Sequence, residues 1–517
     1  MRAHWRCALC LVLAIACAGP LTGCASLPSL AGRSASSALT DTGATHLGLA
    51  VAPLVAAHPG ESGVYALADG LDAFAARVRL ANVAQRSLDV QYYIWRNDIT
   101  GVLLLEALRA AAGRGVRVRL LLDDNNDSGL DATLALLDAD PNVEVRLFNP
   151  FVLRGPRVLG YLTDFSRLNR RMHNKSFTAD GQATIVGGRN IGDEYFGAAG
   201  PVLFADLDVL AIGPVVEAVS NDFDRYWNSA SAYPLRLLVP ATDPANAAVL
   251  VRQATQLEQA PAAQAYQVAL RDSTFVAQLD QHSLPLEWAV TRLVSDDPAK
   301  ALDQAAPESR VAPQLKQLLG EPASELDLVS PYFVPGQAGT DAFAAMVKRG
   351  VKVLVLTNSL EATDVAAVHA GYSKWRKPLL AAGVSLYELR RSWPAGGAQK
   401  RAGPFGSSAS SLHAKTFSVD QARVFIGSFN FDPRSARLNT EMGFVIDSPA
   451  LAQQMAARLQ SGIAERAYEV RLAPDGELYW IEREKGVAIR HDVEPGTGFW
   501  QRLGVRLLSL LPIDWLL

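Results

Sequence analysis

The chain has few cysteines, and all of them lie close to its amino terminus. Among 517 residues the four cysteines are Cys7, Cys10, Cys17 and Cys24. The sequence from Ala25 onwards therefore offers no disulfide, no thiolate nucleophile and no cysteine-based metal site. Any chemistry in that part of the chain must use histidine, lysine or carboxylate side chains.

The chain also has little excess charge of either sign and few long apolar runs. The formal net charge is -3, so the chain is no general polycation and we expect no nucleic acid among its partners. No stretch after the amino-terminal leader has enough apolar residues to cross a bilayer. What remains is an ordinary globular composition, 49% hydrophobic and 20% charged, with enough length for two or three domains.

The amino terminus has the layout of a bacterial secretory signal. Its parts are, in order, Arg2, His4 and Arg6, the apolar run Leu9 to Ala18, and the motif Leu21-Thr22-Gly23-Cys24. This motif resembles a lipobox, which implies that residues 1–23 are a lipoprotein signal peptide and that Cys24 is lipidated. We therefore expect a lipoprotein of the cell envelope, held on a membrane by its lipid and facing the periplasm. The pattern leaves open whether that membrane is the inner or the outer one.

Beyond the leader, the chain changes from a low-complexity segment to regular periodicity. Residues 24–64 are rich in Ser, Ala, Gly and Thr, which predicts a flexible tether. Helix-like and strand-like patterns then alternate, and this alternation predicts an α/β architecture. The first predicted elements are a helix over 71–83, a strand over 88–95, a helix over 103–112 and a strand over 116–122.

The arrangement occurs twice. Residues 113–121 resemble residues 348–356, and residues 143–148 resemble residues 384–389, which predicts two homologous halves. The predicted domains are a first domain over 65–239, a helical connector over 240–310, a second domain over 311–465 and a C-terminal extension over 466–517. The extension ends in an amphipathic tail that fits either a helix in a membrane interface or a helix packed on the protein body.

One motif is present in both halves with identical spacing. The first half has His173, Lys175 and Asp180, then Gly187 and Asn190; the second has His413, Lys415 and Asp420, then Gly427 and Asn430. Residues two apart in a strand share a face, so each histidine and its lysine converge on one small anion, such as a phosphate. A pair of core histidines without chemistry would not explain the shared glycine and asparagine.

Paired H-x-K-x4-D motifs resemble the phospholipase D superfamily, and the surrounding sequence, residues 161–172 and 368–372, resembles the bacterial cardiolipin synthase C group. The resemblance implies an α/β fold of two homologous phospholipase D-like α/β/α domains. They would be related by a pseudo-two-fold axis and share one active site at their interface. By the same resemblance His173 is the nucleophile and His413 the acid and base, although the symmetry of the motifs allows the exchange.

The residue types account for the expected chemistry. A neutral imidazole, with an unperturbed pKa of about 6.5, can attack phosphorus while a second, protonated imidazole donates its proton to the leaving alkoxide. The residues that would stabilise the phosphate oxygens are Lys175, Lys415, Asn190 and Asn430, and this chemistry requires no metal and no cofactor. Asp180 and Asp420 complete the catalytic motifs, but strand parity turns them away from the histidines and favours a role as structural anchors.

Each imidazole also needs a carboxylate that holds its second nitrogen and sets its tautomer. Matching the two halves proposes Glu441 and Asp206 for this role, with Asp208 as a competitor of Asp206. Basic residues before the two motifs fit either lipid headgroups or an ordinary solvated surface.

The resemblance implies phospholipid substrates, and three hypotheses for the function follow. The first is a phosphatidyltransferase that makes cardiolipin from phosphatidylglycerol and a second phospholipid, which the resemblance suggests is phosphatidylethanolamine. The alternative is a hydrolase that uses water instead, either a phospholipase D that yields phosphatidic acid or a nuclease. The third is a non-catalytic envelope lipoprotein, against which the intact motifs argue. No pattern indicates the oligomeric state or an accessory protein.

Overall fold

The computed structural model describes residues 26–126, 129–198, 204–281, 283–391, 411–484 and 486–517. The predicted signal peptide and Cys24 lie outside the described residues. Among the helices that are described, none is both long and apolar enough to cross a membrane.

The first half alternates strands and helices. Its strands are β1 (Ser62–Leu67), β2 (Ser87–Ile94), β3 (Arg117–Asn126), β4 (Val143–Phe148), β5 (Ser176–Ala179), β6 (Ala183–Gly187), β7 (Phe204–Ala205), β8 (Asp208–Ile212) and β9 (Ala232–Pro234). Its helices are α1 (His46–Ala56), α2 (Gly70–Val83), α3 (Ile99–Gly113), α4 (Asp131–Leu137), α5 (Gly160–Leu168), α6 (Asp193–Phe196) and α7 (Pro214–Trp227). The four predicted elements are confirmed as α2, β2, α3 and β3. Helix α2 begins where the Asp69 carboxylate accepts hydrogen bonds from two backbone N–H groups of the first turn.

The remaining elements form a connector, a second half and an extension. The connector contains α8 (Pro244–Glu258), α9 (Pro261–Arg271) and α10 (Thr274–Asp280). The later strands are β10 (Glu287–Ser295), β11 (Glu325–Val329), β12 (Lys352–Asn358), β13 (Ser385–Leu389), β14 (Ser411–Leu412), β15 (Lys415–Val419), β16 (Arg423–Gly427), β17 (Met442–Asp447), β18 (Ala467–Leu472), β19 (Leu478–Glu484) and β20 (Val487–His491). The later helices are α11 (Val311–Leu319), α12 (Gly336–Lys348), α13 (Ala366–Ser373), α14 (Arg376–Ala381), α15 (Pro433–Arg437), α16 (Pro449–Arg466) and α17 (Phe499–Ser509).

Strand pairing confirms the internal repeat. In the first half the order is β9-β4-β3-β2-β5-β6-β8-β1, and in the second it is β18-β13-β12-β11-β15-β16-β17-β10. The three inner strands are parallel in both halves, and the others pair antiparallel. The sequence echoes therefore fall on equivalent strands, β3 with β12 and β4 with β13.

Strand β10 differs from the helical connector expected over 240–310. Its first residues pair with β1 and its later ones with β17, so it joins the two sheets edge to edge. Two apolar residues of β10 are buried, Ala289 in the core between the halves and Val294 in the core of the second half. They are five residues apart and therefore lie on opposite faces of the strand, so each face of β10 is covered over part of its length.

The segment expected to be a flexible tether also differs from the prediction over its described part. Helix α1 packs on the first half, and the Arg33 guanidinium donates to three backbone carbonyls at the end of α7, at 2.6 to 2.7 Å. A guanidinium has five donors in a planar fork, so one arginine can hold an otherwise irregular segment on a surface. Small polar residues without periodicity gave no sign of this contact.

The three largest apolar clusters among the described residues form the main cores of the molecule. One lies within each half, and the third fills the interface where the strands of the two halves meet. The interface core is built from buried side chains of β6, β8, β16 and β17, among them Val186, Val209, Ile426, Met442, Phe444 and Ile446. Burial of this many apolar side chains fixes the two halves relative to each other.

Candidate active site

Two histidines, one from each motif, lie at the interface of the halves, and each is bound by a carboxylate of the opposite half. His173 Nδ1 and Glu441 Oε2 are 2.8 Å apart. His413 Nδ1 and Asp206 Oδ2 are 2.5 Å apart. Since each carboxylate accepts from Nδ1–H, the lone pair of each ring is left on Nε2. The structure thus brings together the two histidines and the two carboxylates proposed from sequence, and each histidine pairs with the carboxylate of the other half.

The backbone enforces this crossing. His173 N–H donates to the Thr440 carbonyl at 2.9 Å, one residue before Glu441. On the other side His413 N–H donates to the Ala205 carbonyl at 2.8 Å, one residue before Asp206. Strands β7 and β14 pair in parallel around the second of these contacts. Each histidine therefore reaches its carboxylate through a short strand-like contact with the other half.

The two carboxylates are held by different partners. The hydroxyls of Ser428 and Ser435 donate to Glu441, at 2.5 and 2.7 Å, and the carboxylate is fully buried. Asp206 accepts instead from the backbone N–H of Leu207 at 2.8 Å. Burial raises the pKa of Glu441. The pKa of Asp206 is lowered despite its burial, because the imidazole of His413 and nearby cations favour its charged form.

Glycines make room for these close approaches. A Cβ at Gly188 would lie 2.1 Å from Asp206 Oδ1, so a larger residue would displace the carboxylate. The glycine shared by the two motifs has a similar role, since a Cβ at Gly427 would lie 2.3 Å from the Met442 carbonyl and one at Gly187 would lie 2.2 Å from Asp208 Oδ1. Backbone crowding thus explains why glycine stands at this position of both motifs.

Asp208, the competitor of Asp206, has a structural role. Its carboxylate accepts from the Arg77 guanidinium at 2.8 Å and from the Arg189 backbone N–H at 3.1 Å. Both of its oxygens are thus engaged by these two arginines.

Both motif lysines are buried and lie beside their histidines. Each ammonium group donates to the backbone carbonyl of the histidine two residues earlier, Lys175 to His173 and Lys415 to His413. Burial lowers the pKa of Lys175 to about 7, and the charge of Lys415 acts in the same direction. Burial likewise lowers the pKa of Lys415. Two cations brought together in a buried site favour an anionic ligand, which would restore their protonation.

The same surroundings keep the imidazoles neutral. Burial, and then the charge of Lys415, lower the pKa of His413 to about 4 against the opposing effect of Asp206. Burial and the two lysines lower the pKa of His173 well below its ordinary value. Without an anion in the site both rings are therefore neutral near pH 7, and a bound phosphodiester would favour protonation of one of them.

The two asparagines differ in their contacts. Asn190 Oδ1 accepts from the Ile94 N–H, and its amide donates to the Tyr195 hydroxyl at 3.1 Å. Asn430 is buried, and its Oδ1 has no hydrogen-bond partner among the described residues. Asn190 is thus occupied in positioning Tyr195, whereas Asn430 retains a polar atom that a ligand can contact.

The motif aspartates lie outside the site. Asp180 accepts from the backbone N–H groups of Gln85, Arg86 and Ser87, at 2.7 to 3.0 Å, and Asp420 accepts likewise from Ala323, Ser324 and Glu325, at 2.7 to 3.1 Å. Each carboxylate therefore anchors the turn before the first central strand of its half. These contacts are of the kind expected of structural anchors, and the inclusion of both aspartates with the catalytic residues stays a prediction.

Aromatic residues that the sequence did not single out surround the histidines. Tyr93 meets the His173 ring edge-on at 4.9 Å between centroids, and Tyr195 meets His413 in the same way at 5.2 Å. The hydroxyl of the half-buried Tyr332 donates to Asp364 at 2.8 Å. Tyr93 lies within a predicted strand and Tyr195 lies five residues after a motif asparagine, but neither position has a pattern that distinguishes it from core packing.

Two duplicated halves with crossed histidine–carboxylate pairs define a two-histidine phosphoryl-transfer enzyme of the phospholipase D type. The family described as "Cardiolipin synthase, PLD-like domain" matches residues 78–227 and 315–462. The chain therefore belongs to the cardiolipin synthase family of phospholipase D-type phosphatidyltransferases, and the resemblance noted in the sequence is confirmed.

Individual relatives agree with this assignment. The chain is 53% identical over 471 residues to cardiolipin synthase C of Escherichia coli (strain K12), covering 91% of this chain and 99% of the relative. It is 32% identical to an uncharacterized protein of Helicobacter pylori (strain ATCC 700392 / 26695), covering 95% of this chain and 96% of the relative. The crystal structure of phosphatidylserine synthase from Haemophilus influenzae Rd KW20 is similar in fold, with a TM-score of 0.56, 13% identity and coverage of 88% of this chain and 95% of that one.

Proposed function

We propose that this protein makes cardiolipin by transferring a phosphatidyl group to a glycerol hydroxyl of phosphatidylglycerol, through a phosphatidyl-histidine formed on His173. The observation that carries the proposal is the pair of buried imidazoles, each held at Nδ1 by a carboxylate of the other half. The lone pairs of both rings are thereby placed on Nε2, so that one ring can attack the phosphorus of a phosphodiester and the other can move the proton. The 53% identity to cardiolipin synthase C over most of both chains supports the choice of product.

The roles of the histidines follow from their carboxylates. Two serine hydroxyls also donate to Glu441, so Glu441 stabilises a positive charge on His173 less than Asp206 does on His413. Asp206 has a lowered pKa and stays ionised beside His413, which favours an imidazolium there when a phosphate anion enters. His413 is therefore the acid and His173 the nucleophile.

The reaction then has two displacements. His173 Nε2 forms a bond to phosphorus, the bond from phosphorus to the headgroup oxygen breaks, and His413 gives its proton to that oxygen. His413 next takes the proton of a glycerol hydroxyl, whose oxygen bonds to phosphorus as the bond to His173 breaks. Lys175 and Lys415 line the position where the phosphate charge lies, and with the amide N–H groups of Asn430 they stabilise that charge in both transition states.

The remaining features belong to the same proposal. Phosphatidylethanolamine is the second phospholipid, by likeness to the cardiolipin synthase C group. Cys24 carries a lipid that anchors the enzyme to a membrane of the cell envelope with its active site in the periplasm. The two catalytic domains comprise residues 65–239 and 311–465. Strand β10, which lies between them in the chain, belongs to the same catalytic unit.

The test is lipid analysis of a bacterial host that lacks cardiolipin synthases and expresses the full chain. The parent and a His46→Ala control, altered at an exposed histidine, should both accumulate cardiolipin. His173→Ala and His413→Ala should not. Phosphatidic acid in place of cardiolipin would identify a phospholipase D, and unchanged lipids with folded, exported parent protein would contradict catalysis on phospholipids.

A further inference from the structure

Two exposed apolar segments stand out on the surface, one in each half. The first covers α5 and the turn before it, where Val158 is 68% and Leu162 82% exposed. The second is the C-terminal segment, where Trp500 is 79% and Leu510 76% exposed. Soluble proteins rarely expose several large apolar side chains within one short segment unless the surface has a partner.

A single arginine joins these segments. Arg434 donates through its side chain to the Leu516 carbonyl at 2.9 Å and to Asn169 at 2.6 and 3.0 Å, and its backbone N–H donates to the Leu517 carbonyl at 2.6 Å. Asn169 directly follows α5, and it lies four residues before His173. The end of the chain, the end of α5 and the nucleophile are therefore neighbours.

We propose that the apolar side chains of α5 and of residues 499–515 form one surface that inserts into the interface of an anionic phospholipid bilayer and brings the active-site entrance onto it. The inference rests on the proposed function only in that the substrate is a membrane lipid. It adds a contact of the protein body that does not depend on lipidation of Cys24.

The charges of the C-terminal segment fit this partner. Residues 499–515 contain Arg502 and Arg506 and a single acidic residue, Asp514, which accepts from the Lys374 ammonium, and Arg506 is exposed. Aromatic residues with nearby arginines and few carboxylates are the composition of helices that lie in a membrane interface. One face of α17 is exposed, with Phe499 at 62%, Trp500 at 79% and Leu507 at 57%, whereas Val505 on the other face is buried.

A cavity beside the same segment favours lipid over a protein partner. It has a volume of about 780 Å³, and its lining includes Pro512 and Trp515 at the C-terminal segment and Phe343 and Met346 on α12. Its walls are mainly apolar, and its size is that of a small-molecule site. A flat protein surface would leave such a cavity empty, whereas flexible lipid tails can enter it.

The experiment measures binding of the full chain to vesicles of equimolar phosphatidylethanolamine and phosphatidylglycerol in a Cys24→Ser background, which cannot be lipidated. Trp500→Gln and, independently, Leu162→Gln should each lower the partition coefficient about tenfold, since burial of one large apolar side chain contributes on that scale. Val251→Gln, at an exposed apolar residue of α8, is the matched control and should bind like the parent.

Activity on a short-chain phospholipid in solution separates this proposal from the proposed function. Both variants should match the parent there, which also shows that they are folded. A parent without such activity but with the expected binding pattern would refute the proposed function and leave the surface supported. Unchanged vesicle binding in both variants would overturn the proposal, as would a dimer that Trp500→Gln dissociates while vesicle binding stays the same.

Discussion

The replacement Glu441→Gln tests the crossed pairing most directly. The change keeps the shape of the side chain and removes its charge. In the parent, Glu441 Oε2 accepts from His173 Nδ1–H at 2.8 Å, which leaves the lone pair on Nε2. A glutamine amide nitrogen in that position would donate to Nδ1, and the ring proton would move to Nε2, the atom that must attack phosphorus.

The magnitude depends on how the amide is oriented. If its oxygen faces the ring, the tautomer is kept and only a charge-assisted hydrogen bond is lost, about 2.7 kcal/mol or 10²-fold in kcat. If its nitrogen faces the ring, the tautomer is wrong and the loss approaches about 10⁴-fold. Ser428 and Ser435 each can either donate or accept, so they allow both orientations. We therefore expect a loss of at least about 10²-fold.

The assay is a quenched single turnover with a phospholipid labelled in its phosphatidyl group, in which labelled protein reports the phosphatidyl-histidine. Glu441→Gln should slow formation of labelled protein, and Glu441→Asp should recover part of the rate. The control is Glu482→Gln, which alters a carboxylate bound to His491 Nε2 at 2.8 Å outside the site. Folded Glu441→Gln protein that labels within threefold of the parent rate would refute the crossed pairing.

Three further outcomes are expected. Burial lowers the pKa of Lys175 to about 7, so its ammonium loses charge as pH rises through that value and kcat/KM should fall on the alkaline side. The profile is measured from pH 6 to 9 with substrate below KM, and a flat profile would contradict this expectation. Asp180→Asn should lower the free energy of unfolding by about 2 kcal/mol and leave kcat unchanged, as followed by thermal melting and initial rates, and a large fall in kcat would restore it to the catalytic residues. Ile426→Ala in the interface core and Ile185→Ala in the first core should each destabilise by about 2 to 5 kcal/mol, but only Ile426→Ala should reduce kcat well below the melting temperature.

The sequence predicted the parts of the site that repeat. Identical spacing in two copies identified His173 and His413, and strand periodicity explained why their lysines accompany them. The orientation of Asp180 and Asp420 also followed from parity, because a strand alternates its faces without regard to tertiary contacts. The alternation of helix-like and strand-like patterns predicted an α/β fold, and the similarity of residues 113–121 to residues 348–356 predicted two similar halves.

Other features depend on contacts between distant segments and have no local pattern. The sequence nominated Glu441 and Asp206 as carboxylates but did not show that each serves the histidine of the other half. Strand β10 was assigned to a helical connector because its two partners, β1 and β17, lie far away in the chain. Tyr93 and Tyr195 were missed since buried tyrosines beside strands are common in any core.

The crossing explains why the halves are joined so extensively. If each carboxylate came from the same half as its histidine, the two imidazoles could be oriented without docking, and their separation would be set by a separate contact. Here the backbone bonds from His173 to Thr440 and from His413 to Ala205 fix both orientation and separation at once. The shared core and strand β10 therefore stabilise the fold and also position the two histidines. In this geometry one Nε2 atom can attack the phosphorus of a phosphodiester while the other gives a proton to the leaving oxygen.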